Sequence, residues 1–224
     1  MIRSMNENYS IISEQVKLIR ENVDYLCQQQ DAQTILITSG ESGTGKSTVS
    51  ANLAVAYSQK GNRTLLIDAD LRKPTQHYLF SQEMHVGLSN YIRRDISIES
   101  CVQQVILEDC EFSIITSGAI MSNPNDLLAS SKMAAALQEV KQRYDVVIID
   151  TPPVNVVSDA LILAKNIDGV LLVVHADKTN KQSAKNAVKK LRLVNANIFG
   201  VVVNGTDMAE IIIKEKIDGE VHNT

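Results

Sequence analysis

The chain has 224 residues, 44% of them hydrophobic, and a formal net charge of −4. A chain of that length buries its own core without staples, as one large domain or a domain with a short appendage. The charge balance gives no global field for nucleic acid. The three scattered cysteines (Cys27, Cys101, Cys110) argue against a disulfide framework. No apolar run reaches the roughly 20 residues of a membrane span, and the opening MIRSMNENYS carries no signal-peptide core. A cytoplasmic protein is expected.

In chain order, residues 11–27 predict a helix on which Ile12, Val16, Ile19, Val23 and Leu26 form one apolar seam. Glu14, Lys17 and Arg20 make a charged ridge beside it. The seam suits either packing on the chain's own domain or contact with another copy. Ile35, Leu36 and Ile37 read as a short buried strand. Gly40–Ser47 then match G-x-x-x-x-G-K-[ST], a phosphate-binding loop. Gly40, Gly43 and Gly45 permit a tight turn and close approach of a ligand. The backbone of Ser42, Gly43, Thr44 and Gly45 and the helix start behind them would form an anion cradle. Lys46 would reach the β- and γ-phosphates of a nucleotide, Ser47 would bind Mg²⁺, and Thr48 would contact the α-phosphate.

Gly61-Asn62 ends the following helix, and Thr64–Ile67 form a second buried strand. Asp68, Asp70 and Arg72 follow at its carboxyl end, the edge where open α/β sheets bind ligands. Residues 87–92 and 98–105 predict short helices, and Phe112–Thr116 a strand. A helix starts at Asp126, and another runs over 131–143. Val146–Ile149 are apolar without alternation, as in a strand buried on both faces. Asp150 closes that strand and reads as the carboxylate that holds a metal directly or through water. Helix 158–165, strand Val170–Val174, helix 180–193 and strand Ile198–Val203 complete the alternation. Lys181, Lys185 and Lys189 form a basic stripe that suits a solvated face, an acidic partner or a membrane surface. Asn204, at the last strand's end, is a candidate for the adenine. The tail is polar and has no tyrosine.

These elements predict an α/β P-loop NTPase fold, a doubly wound, mostly parallel sheet flanked by helices. Three units are expected: an N-terminal helix over 1–30, a P-loop domain over 31–205 and a polar tail over 206–224. The chemistry is phosphoryl transfer from Mg²⁺·ATP. Lys46 is the phosphate clamp, Ser47, Asp68 and Asp150 are metal ligands, and Asp68 is the favoured base with Asp70 orienting it. Arg72 holds that pair or meets the substrate. Residue types alone leave open whether water or a protein hydroxyl is the acceptor.

SGESGTGKST, LLIDADLRKP, SNPNDLL and VVIIDTPP together resemble the bacterial tyrosine kinases of capsule and exopolysaccharide synthesis, over about residues 10–205. The likeness is to the Gram-positive form, whose cytosolic kinase is a separate chain from its membrane-anchored activator. It implies phosphorylation of protein tyrosines and a ring-shaped homo-oligomer built through an E-x-x-R-x-x-R ridge. That ridge is here Glu14, Lys17 and Arg20, with one arginine replaced by lysine. The family's C-terminal tyrosine cluster has no counterpart in GTDMAEIIIKEKIDGEVHNT. The alternatives are a dimerising ATPase of the ParA/MinD type and a nucleotide-binding scaffold. The first is disfavoured by Glu41, which occupies the place of that family's signature lysine.

Overall fold

The structure, a computed structural model, describes residues 8–94, 96–206 and 210–213; the side chain of Ile12 and most of the tail lie outside the described residues. Among the described residues, eight strands make one sheet: β1 (Thr34–Ser39), β2 (Thr64–Asp68), β3 (Val102–Ile106), β4 (Glu111–Ile115), β5 (Val146–Asp150), β6 (Gly169–His175), β7 (Ile198–Asn204) and β8 (Glu210–Ile213). Their order is β3-β4-β2-β5-β1-β6-β7-β8. The inner strands from β4 to β7 are parallel, and β3 and β8 run antiparallel at the two edges.

Helices cover both faces, as the unbroken apolar strands require. Successive strand residues point to opposite sides. Ile35 and Ile37 of β1, Leu66 of β2, Ile148 of β5 and Leu171 of β6 meet α1 (Asn8–Gln30) and α2 (Lys46–Gln59). Leu36, Leu65, Val147, Ile149 and Leu172 face the other way. There they pack with α6 (Ser131–Lys141), α7 (Asp159–Ala164) and α8 (Lys181–Leu193) through Leu137, Leu163 and Leu191. Each such side chain taken from water contributes roughly 1.5–3 kcal/mol. Short helices α3 (Gln76–Leu79), α4 (Leu88–Arg93) and α5 (Asn125–Leu128) lie in the connections.

One sequence expectation needs correction. Residues 98–105 form not a helix but a 3-10 turn at Glu99–Cys101 running into β3. The β-branched Val102, Val105 and Ile106 suit a strand, and β4 supplies the partner, with Val105 opposite Phe112. Among the described residues of the tail, Glu210–Ile213 add β8 to the edge of β7.

The seam of α1 packs on the chain's own domain: Ile19 and Val23 are buried in one core with Leu53, Ala54 and Tyr57 of α2. The charged ridge divides. Glu14 and Lys17 pair with each other at 2.7 Å on the surface. Arg20 turns inward, is only 12% exposed, pairs with Glu21 and donates to the Ala56 carbonyl at 3.0 Å. Lys60 of the α2 C-terminal turn pairs with Asp24 across the same junction. Arg20→Ala should therefore destabilise the isolated subunit by about 1–2 kcal/mol, as loss of a charge-assisted bond does. Urea denaturation of the monomer reads this, and an unchanged midpoint rejects the docking role. A smaller oligomer in that variant would not by itself identify a contact between copies.

Candidate active site

β2, β5 and β1 are neighbours in the sheet, so what leaves their carboxyl ends is brought together. β1 delivers the glycine loop, β2 delivers Asp68 and Asp70, and β5 delivers Asp150. Asp68 and Asp150 stand opposite each other in the parallel register. The loop closes with Gly43 and Gly45 at φ 79° and 88°, the left-handed region that favours glycine. A Cβ on Gly45 would lie 2.1 Å from the Asn204 amide nitrogen, so space as well as torsion demands glycine there.

Lys46, the first residue of α2, extends its ammonium into this group. Its Nζ lies 3.3 Å from Asp70 Oδ2, 3.8 Å from Asp150 Oδ1 and 3.1 Å from Ser47 Oγ. Burial alone would lower its pKa; the surrounding Asp150, Asp70 and Asp68 outweigh burial and hold it above the usual lysine value. The carboxylates respond in the opposite sense. Burial, then the neighbouring Asp150 charge, pushes Asp68 up to about 7, against the pull of the Gln76 and Thr75 backbone N–H groups. Burial also raises Asp150, and Lys46 opposes that rise. Asp68 Oδ2 accepts from the backbone of Thr75 and Gln76, both at 3.0 Å, and Oδ1 from Asp70 N at 3.2 Å. Asp70 Oδ1 accepts from Lys73 N at 2.9 Å.

Other sequence candidates are placed differently. Arg72 is not gathered into the carboxylate group. Its Nε and Nη2 form a two-point contact with the fully buried Asp159 of α7 at 2.8 and 2.9 Å. Its Nη1 donates to the Ser122 carbonyl, and its Nη2 also reaches Asn125, which accounts for the SNPNDLL segment as a support for the β2 exit loop. Arg72→Ala should cost about 3–5 kcal/mol by leaving a buried carboxylate unpaired. Arg72→Lys should recover only part of that, lacking the planar fork. Denaturant midpoints of the two variants check this; equal midpoints for arginine and alanine would remove the pair from the account. Asn204 donates to the Thr44 carbonyl at 2.9 Å and so braces the glycine loop. Glu41 accepts from Asn180 N at 3.3 Å and ties the loop to the start of α8. A cleft of about 650 Å³ along α8, lined by Asn155, Ser183, Lys189 and Lys190 among others, lies behind Gly40 and is not lined by the site carboxylates.

Sequence reasoning missed Gln76 and Asp159. Gln76 is fully buried and donates through Nε2 to Asp150 Oδ2 at 2.7 Å and to the Ser47 carbonyl at 3.0 Å. Neither residue has a motif spacing; Asp159 reads in sequence as an ordinary acid at a helix start.

The donors fit a magnesium nucleotide. Ser47 and the carboxylates are hard oxygen ligands. Among the described residues no three His, Cys, Asp or Glu converge tightly enough to cage a metal alone. Mg²⁺ takes few ligands from a protein and completes its shell with phosphate and water oxygens. Thr44 Oγ1 and Gln76 Oε1 are buried without a partner, polar capacity that a ligand can use.

A glycine loop closing on a helix beside paired strand-end carboxylates defines a nucleotide-binding P-loop domain of the α/β class. The profile of the AAA domain matches residues 32–198. Within that class, the chain is 40% identical over 195 residues to the putative tyrosine-protein kinase CapB of Staphylococcus aureus, covering 87% of this chain and 85% of CapB. It is 40% identical over 207 residues to the tyrosine-protein kinase YwqD of Bacillus subtilis (strain 168), covering 92% of this chain and 86% of YwqD. The kinase domain of the Escherichia coli tyrosine kinase ETK superposes with a TM-score of 0.83 at 30% identity, covering 87% of this chain and 75% of that one. The chain belongs to the bacterial tyrosine-protein kinase family, and it is a nucleotide-binding protein-tyrosine kinase. A plasmid partition protein from Borrelia burgdorferi, 20% identical with a TM-score of 0.60 over 77% of this chain and 78% of its own, shares the fold alone.

Proposed function

We propose that this kinase transfers the γ-phosphoryl group of Mg²⁺·ATP to tyrosine hydroxyls of partner proteins and of other copies of itself, in the control of capsular or extracellular polysaccharide synthesis and export. The observation that carries the reading is Lys46 held at 3.3 and 3.8 Å from two strand-end carboxylates, with Asp68 beside them. Lys46 would exchange these carboxylates for the β- and γ-oxygens and neutralise charge that builds during transfer. Ser47 and Asp150, with Asp68, would hold the Mg²⁺. Ser42, Gly43, Thr44, Gly45 and Thr48 would line the phosphates, and Gly40 would open the turn. Asp68, at the carboxyl end of β2 opposite Asp150, suits removal of the tyrosine proton, with Asp70 keeping Lys46 and the loop in place. Asn204 would serve the nucleotide through the loop it braces, and Arg72 through the exit of β2.

The membrane-anchored activator and a ring of copies belong to the same proposal. Among the described residues no helix is long and apolar enough to cross a membrane, which fits recruitment to the inner membrane face by such a partner. Tyr25 and Tyr78 are 61% and 77% exposed, whereas Tyr57 and Tyr91 are buried, so the exposed pair are the expected acceptors between copies. Incubation with labelled ATP and a tyrosine-bearing peptide should yield phosphotyrosine on the peptide, and on Tyr25 or Tyr78 by mass spectrometry. Label recovered only as free phosphate would instead make the chain an ATPase switch.

A further inference from the structure

We propose that Gln76 is a positioning residue for the metal: it couples the glycine-loop helix to the carboxylate of β5 and sets the direction in which Asp150 faces Mg²⁺. The inference rests on the Mg²⁺·nucleotide reading of the site.

Three observations carry it. The side-chain amide is fully buried, and its Nε2 donates at once to Asp150 Oδ2 at 2.7 Å and to the Ser47 carbonyl at 3.0 Å. Both partners are acceptors, so the amide is held nitrogen-inward; the flipped amide would set oxygen against oxygen. The backbone N–H of the same residue donates to Asp68 Oδ2 at 3.0 Å. One residue therefore holds the helix that carries Lys46 and Ser47, the carboxylate of β2 and the carboxylate of β5. Finally, Gln76 Oε1 is buried without a donor, so the amide is engaged through its nitrogen end.

The chemistry explains the choice of an amide. Asp150 is close to Lys46 through Oδ1 and to Gln76 through Oδ2. A neutral donor on Oδ2 fixes the rotation of the carboxylate without neutralising its charge, so its attraction for a cation is kept. A lysine there would cancel that charge and a glutamate would repel it. Partners of this kind, which orient a ligand without touching the metal, typically change metal affinity or activity by about 10–100-fold when removed.

The test is Gln76→Met, which keeps length and removes both polar ends. Binding of a fluorescent ADP analogue is titrated with Mg²⁺, a readout that needs no turnover. The variant should require about 10–100-fold more Mg²⁺ for half-maximal enhancement, with nucleotide binding in EDTA unchanged. In turnover, kcat should fall by a similar factor at saturating peptide, with little change in the KM for the peptide. Should Gln76→Met fail to fold, Gln76→Asn, which keeps the amide one methylene short, carries the same titration, with a smaller shift in the same direction expected. A folded variant with the wild-type Mg²⁺ midpoint overturns the positioning role. A wild-type protein whose nucleotide binding ignores Mg²⁺ overturns the metal reading instead, so the two failures are told apart.

Discussion

Lys46→Met should leave a folded sheet that transfers phosphate to tyrosine about 10²–10³-fold more slowly, or not measurably, because a preorganised charge at the transferring phosphate is worth that much. The substitution also acts on the stability of the folded chain without nucleotide. The ammonium lies between Asp70 and Asp150, and its removal leaves buried carboxylates without their cation. Asp150, raised by burial and held down by Lys46, then takes up a proton more readily, so its pKa rises further. The stability lost by the variant should be larger at pH 8, where the acids must ionise, than at pH 5, where they can stay protonated. Thermal midpoints at the two pH values, measured without nucleotide, check this. An equal loss at both would mean that Lys46 does not face ionised carboxylates in the folded chain.

Asp68→Asn should cut phosphotransfer by about 10²–10⁴-fold, the usual contribution of a positioned base. Its effect on stability has the opposite pH trend to that of Lys46→Met. Burial raises Asp68 from 3.8 to about 7 in the folded chain. Below about pH 4 both folded and unfolded forms hold the proton, and the group costs nothing. Between about pH 4 and 7 the unfolded chain releases its proton while the folded chain keeps it, so stability falls as pH rises. Above about pH 7 the loss is complete and constant, on the order of 4 kcal/mol for a shift of this size. Asparagine has no such loss. One of the three backbone donors to Asp68 meets its NH₂ and adds a cost that does not vary with pH. The midpoint of the variant relative to wild type should therefore be more favourable at pH 8 than at pH 5. A difference independent of pH would show that Asp68 is already ionised throughout that range.

The two effects together describe a site that is costly to the metal-free chain. Like charges on adjacent strands, drawn from water, are tolerated because Lys46, Gln76 and the 75–76 backbone compensate them in part. A divalent cation with a polyphosphate would complete the compensation, and should stabilise the chain in proportion to its binding.

The sequence alone determined the class of fold and the main chemical groups. Short unbroken apolar runs rich in β-branched residues, such as Ile35–Ile37 and Val146–Ile149, read as strands covered on both faces. Gly40–Ser47 is a contiguous motif, so its chemistry is carried in local backbone torsions and needs no partner to be recognised. Asp68 and Asp150 were readable because each closes such a strand, and strand ends are shared edges. Residues whose roles depend on groups distant in the chain were decided only by the tertiary structure. Val102–Ile106 became a strand because β4 offered it an edge. Arg20 and Arg72 have the charge to serve another subunit or a substrate, yet each turns to its own chain, where Ala56 and Asp159 meet them. Gln76 carries no spacing or charge that marks it, because an amide becomes a bridge only when packing puts two acceptors before it. Local periodicity encodes which surface a residue presents, whereas the partner it meets there is a property of the assembled sheet.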